Sequence, residues 1–213
     1  MKKILVLFVI TVSSTVLFAQ TEKYMKAMQS NIAMLDSGYI KGNMAELSNN
    51  FERIAEAEKT QWLPYYYASY CAVANAYTEQ DKSKTDGIAD RAEQLIKKAE
   101  IINGKENSEI CVIKSMIASS HMMVDPQARW QQYGEASASN IAKAKSMDPT
   151  NPRPVYLEGQ SKFYTPESFG GGKAPAKELF IKALKMFDTF KPETSLHPNW
   201  GKSTTAYFLA QCN

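Results

Sequence analysis

Five tyrosines crowd one short stretch of the chain. Tyr65, Tyr66, Tyr67, Tyr70 and Tyr77 all fall in PYYYASYCAVANAY, residues 64–77, which carries no charged side chain. Consecutive residues on a helix point about 100° apart, so these rings cannot all enter one core stripe. Tyr66 and Tyr70 share a face, while Tyr67 lies toward another. An apolar ring with a polar tip suits a surface that is dry at one end and wet at the other, as in a binding groove. Packing between adjacent helices accounts for the same rings. Tyr66 and Tyr70 are the candidate partner-binding residues.

Other constellations offer less. Gly201-Lys202-Ser203-Thr204 matches the end of a phosphate-binding loop, but such a loop needs a glycine where the chain has Leu196. Pro198-Asn199 also reads as a helix start, with no strand before it. Phe169 to Lys173 (FGGGK) precedes a helix, where free backbone donors could meet an anion. Three glycines equally let the chain turn tightly, and the chain must reverse there. His121-Met122-Met123, with Met116, offers imidazole and thioether groups to a soft ion such as copper(I). Methionine at helical spacing is ordinary core filler, and the other histidine, His197, sits in a Pro-rich turn. No metal site is expected. Lys97, Lys98 and Glu100, then Lys143 and Lys145, then Lys177, Glu178, Lys182 and Lys185 group as outer helix faces do. No nucleophile or acid/base pair stands out, so neither catalytic residues, a cofactor nor an enzymatic activity is expected.

The elements that must position these residues begin after an N-terminal MKKILVLFVITVSSTVLFAQ. Two lysines, a short apolar run and a small residue at Ala19 form the pattern of a secretory signal, residues 1–19. The Ser/Thr content at 11–15 suits a membrane-spanning helix poorly. Residues 20–213 are then the mature, exported domain, with no stable membrane anchor and a place in the periplasm or envelope. Net charge is +3 over 213 residues, and losing Lys2 and Lys3 brings it to +1. Such a balance gives no electrostatic footprint for nucleic acid. Cys71, Cys111 and Cys212 are odd in number, which leaves at least one thiol free or paired between molecules. Their apolar contexts fit small core residues, with a Cys71–Cys111 disulfide as the alternative. Their spacing is not that of a zinc site.

Apolar spacing predicts helices throughout. The first pair covers residues 22–36 and 44–59, and the second 64–77 and 88–101. A third pair covers 108–124 and 128–147, a fourth 153–164 and 174–190. A last helix at 199–211 covers the end. Gly104, Pro126, Pro149 and Pro152 punctuate these segments. Within the second helices a large apolar residue recurs between two small ones. Ala92, Ile96 and Ala99 have this spacing, as do Ser137, Ile141 and Ala144, and Ala176, Phe180 and Ala183. Asn50, Ile54 and Ala57 form a weaker copy. The large members lie about 40 residues apart.

With Pro149 or Gly104 following, these triplets resemble the second half of the tetratricopeptide repeat. The first helices depart from that family, Gly159 being the glycine in register. The resemblance implies an all-α solenoid, a right-handed superhelix of about four antiparallel hairpins with a C-terminal capping helix. It also implies a concave side, lined by first helices, that holds a protein or peptide partner. The expected function is therefore an exported, non-enzymatic interaction scaffold. The alternative is a small-ligand carrier whose apolar pocket is enclosed by the helical stack.

Overall fold

Asp125 shows how local chemistry sets the helix boundaries. Its side chain accepts a hydrogen bond from the backbone N–H of Ala128, and Pro126 occupies the first helical position, where its missing donor costs nothing. Asn107 caps the helix at 108 in the same way, and Asp81 the one at 82. Gly42 and Gly104 end their helices at positive φ, a conformation that costs glycine little. The computed structural model describes residues 22–213; the expected signal segment, 1–19, lies outside the described residues.

Helix α1 covers residues 22–32. It is followed by α2 (Leu35–Lys41), α3 (Met44–Glu58), α4 (Trp62–Thr78), α5 (Lys82–Asn103) and α6 (Ser108–Val124). A short α7 (Pro126–Arg129) runs through a π-helical turn, Trp130–Gly134, into α8 (Glu135–Met147). Then come α9 (Arg153–Tyr164), a 3-10 turn at Glu167–Phe169, α10 (Lys173–Thr189) and α11 (Lys202–Gln211). The described residues are all helix and connection, as expected for an all-α protein. None of these helices is long and apolar enough to cross a membrane.

Three local differences have physical causes. Helix α5 begins at Lys82, before the expected residue 88, because Asp81 caps it. The first hairpin turns through α2, which runs across Gly38 and stops at Gly42. In α3 Leu47, Phe51 and Ala55 fill the inward positions, so the weaker triplet is not buried as a set: Asn50 and Ile54 are half-buried and Ala57 is exposed. The other triplets point inward as expected, with all nine residues buried.

Consecutive helices pack against each other along the chain, and α4 also touches α6, as α6 touches α9. Small residues let them approach. A Cβ on Gly159 of α9 would lie 2.6 Å from the Phe180 ring of α10, so this crossing requires glycine. Buried hydroxyls bridge neighbours: Ser48 donates to Ala68 O, Ser69 to Ala92 O and Ser108 to Ala144 O. These bonds satisfy groups that would be costly to bury unpaired. Arg91–Glu52 and Lys98–Glu56 ion pairs link the exposed faces of α5 and α3. The apolar core runs from Tyr24 to Phe208.

Candidate ligand-binding surface

The face of α4 nominated by the sequence is covered by the chain itself. After α10 the backbone returns across α4, α6 and α9 through residues 190–201. Tyr67 donates its hydroxyl to Leu196 O at 2.9 Å. Trp200 Nε1 donates to the Tyr66 hydroxyl at 2.9 Å, and its ring stacks on Tyr70 with centroids 4.4 Å apart. His197 sits against Trp62. Beneath this segment Arg153, fully buried, donates from Nε to both Glu109 carboxylate oxygens at 2.9 Å. Its guanidinium also lies over Phe190, 4.7 Å from the ring centroid. Tyr66 donates to Glu109 Oε2 and Asn151 to Glu109 Oε1, so one carboxylate gathers the side chains of α4, α6 and α9. Burial first, and then the Glu109 charge, hold the Tyr66 hydroxyl well above its ordinary value.

Tyr66 therefore presents no surface to a partner, and Tyr70 meets the chain's own tryptophan. The closure joins residues more than a hundred positions apart, which local periodicity does not report.

A different group of rings is open to solvent. Phe208 of α11 stacks on Phe180 of α10 at 5.5 Å and meets Phe163 of α9 edge-on at 5.4 Å. Around this buried pair Tyr164 and Tyr207 set their rings edge-on to Phe208, at 6.0 and 5.6 Å. Both keep most of their area exposed, 71% for Tyr164 and 61% for Tyr207. Phe169, in the turn after α9, is 79% exposed. Two cations belong to the same region: Lys162 donates to Gly170 O in that turn, and Lys177 to Asn213 beyond α11. Neither bond involves a carboxylate. These residues lie outside the site expected from the sequence. The signal for them was adjacent aromatics, Phe163-Tyr164 and Tyr207-Phe208, because neighbours on a helix cannot both face inward.

The other sequence features resolve plainly. Gly170, Gly171 and Gly172 donate their N–H groups to Glu167 O, Pro166 O and Lys162 O, so this turn keeps its donors for itself. Lys202 of the GKST segment pairs with Asp188. Cys71, Cys111 and Cys212 are free thiols, so the Cys71–Cys111 disulfide does not form. Burial, the largest cause, pushes the Cys111 thiol up to about 12. His121 is buried and held by the carboxylate of Asp86. Surface depressions lie over α10, lined by Glu178, Lys182 and Lys185, and over α3, lined by Glu46, Glu52 and Arg53. Charged shelves of this kind suit an apolar ligand less well than the aromatic edge.

No protein-family model matches the chain, and no curated protein matches it. Among solved structures it is similar to the HusA haemophore from Porphyromonas gingivalis, at 35% sequence identity and a TM-score of 0.77. The match covers 89% of this chain and 92% of that one. It overturns the expected interaction scaffold with a protein or peptide in its groove, since the similar protein is a haemophore. The packing supplies the physical reason: residues 196–200 of the chain itself occupy the face on which that scaffold depended.

Proposed function

Because the chain belongs to the family of the HusA haemophore, we propose that it is an exported carrier of haem. The observation that carries this reading is the identity of 35% maintained over 89% of the chain. Haem asks three things of a protein surface: apolar area for its flat faces, cations near its two carboxylates, and a side chain the iron accepts. The aromatic edge of α9 and α11 fits that set. Tyr164, Phe169 and Tyr207 offer ring area on a rigid aromatic base. Lys162 and Lys177 stand in the same region for the carboxylates. Tyrosine oxygen is among the side-chain ligands of haem iron. Binding at this edge calls for no catalytic residue, and cargo taken up at an open surface can be passed on.

The packing order supports a finer reading of the scaffold, a divergent tetratricopeptide-like stack. Each second helix carries its buried small-large-small set, first helices touch one another, and Phe180 enters the space left by Gly159. The N-terminal pattern of residues 1–19 supports export to the periplasm or envelope. With a balance of +1 after its removal, nucleic acid is not a partner in this reading.

Titration of the mature, ligand-free protein with ferric haem tests the function. Saturable binding with a shifted Soret band is the expected result. A spectrum indistinguishable from that of haem in buffer, at every ratio, contradicts it.

A further inference from the structure

Away from the aromatic edge, three metal-ligating groups converge between α5 and α6. Asp90, Glu93 and His121 each bring one ligand atom to within 4.8 Å of the other two. Asp90 and Glu93 lie three residues apart, on one face of α5. Asp86 stands a turn earlier on that face, and His121 projects from the neighbouring α6.

The imidazole is fixed from several directions. Its Nδ1 is 2.7 Å from Asp86 Oδ1. Asp86 is itself held by Arg129, whose Nη1 donates to its two oxygens at 2.7 and 2.9 Å and to His121 O at 3.1 Å. Tyr133, from the π-helical turn, stacks on the ring with centroids 4.9 Å apart. A π-turn is an uncommon local cost and often marks a functional place. This turn connects Arg129 with Tyr133, the two residues that hold the imidazole and its carboxylate. His121 is only 7% exposed.

That arrangement turns Nε2 toward the other two carboxylates. In the tautomer that donates Nδ1–H to Asp86, Nε2 offers a lone pair to a metal. Its charged neighbour is Asp90 Oδ1 at 3.6 Å, too long for a hydrogen bond and likewise an acceptor. In that tautomer two acceptors face each other beside the carboxylates of Asp86 and Glu93, and a cation between them joins both. Ligand atoms bound tetrahedrally to zinc at about 2.1 Å lie about 3.4 Å apart, close to the observed separation. A carboxylate on the far nitrogen of a ligating histidine is the usual outer support of such sites.

We propose that His121 Nε2, Asp90 and Glu93 bind a divalent transition-metal ion, with zinc as the fitting case. Imidazole and carboxylate donors suit zinc and its neighbours, whereas magnesium prefers an all-oxygen octahedron. The exposed position of Asp90 leaves room for water as a fourth ligand. Asp86 and Arg129 are positioning residues, and the haem edge is not involved.

The test uses the mature protein, free of an affinity tag and treated with EDTA, titrated with zinc chloride by calorimetry. One ion per chain is expected, with millimolar magnesium unable to displace it. The double substitution Asp90→Asn with Glu93→Gln changes exposed groups, so the fold remains, as an unchanged melt would show. It should weaken zinc at least tenfold while leaving the haem titration unaltered. In the 15N spectrum of the wild type, zinc should move the Nε2 resonance of His121. Absence of saturable uptake below millimolar zinc overturns the proposal. So does uptake that the double variant retains at full affinity, or an Nε2 resonance that zinc leaves in place.

Discussion

At the α4 face, Tyr66 and Tyr67 give their hydroxyls, and Tyr70 its ring, to contacts within the fold. At the edge of α9 and α11, Tyr164 and Tyr207 rest against Phe208 and turn most of their area outward. Residue type alone does not separate the two regions. What separates them is the return of residues 190–201, which covers one set of rings, and the short final helix, which leaves the other set at a border. The difference teaches that a tyrosine-rich stretch is a site only where no later part of the chain is available to cover it.

Substitutions should break the two regions in opposite ways. The largest effect on stability is expected from Arg153→Met, which leaves Glu109 charged and largely buried among partners it can no longer satisfy. Losing one member of a buried pair costs about 3–5 kcal/mol, and thermal melting should fall by roughly 10 °C. Tyr66→Phe keeps the ring but removes the acceptor of Trp200 Nε1 and a donor to Glu109. Chemical denaturation should register a loss of about 1–3 kcal/mol.

Alkali should act on the covered set as well. The folded chain holds the Tyr66 proton well above the ordinary tyrosine value of 10.0, whereas an unfolded tyrosine releases it near that value. Stability is therefore complete below pH 10 and declines as pH rises beyond it, because only the unfolded state gains by ionising. Phenolate absorbance from the covered tyrosines should appear together with the loss of helical signal. Ionisation of Tyr66 with the helices intact would show that residues 190–201 open independently. The smallest effect on stability belongs to the open set. Tyr164→Ala and Tyr207→Ala should each stay within about 0.5 kcal/mol of the wild type.

The helices were legible because their signals are local. Asn107 and Asp125 sit where caps belong, Gly104 and Pro126 where helices stop and start, and the three complete triplets point inward, whereas the Asp81 cap starts α5 before the expected residue 88. In α3 the inward spacing of Leu47, Phe51 and Ala55 was legible too, and only the weaker triplet around Ile54 stays partly exposed. The site was less legible. The contacts that close α4, Trp200 to Tyr66 and Leu196 to Tyr67, depend on a return of the chain that no helical period encodes. The His121 recess was hidden for a related reason, its ligands coming from two helices with no fixed spacing between them. Function was misread at the resemblance itself, which implied a groove for peptides on a face that the chain occupies.

The measurement closest to the central claim compares ferric-haem titrations of the wild type, the Tyr164→Ala/Tyr207→Ala double variant and Tyr70→Ala, followed at the Soret band. All three must first show the same helical spectrum. The double variant should lose at least tenfold in affinity, equivalent to about 1.4 kcal/mol or more. Tyr70→Ala, whose ring is stacked beneath Trp200, should bind haem as the wild type does. Wild-type affinity in the double variant, with binding lost in Tyr70→Ala, would contradict it and return the ligand to the α4 face.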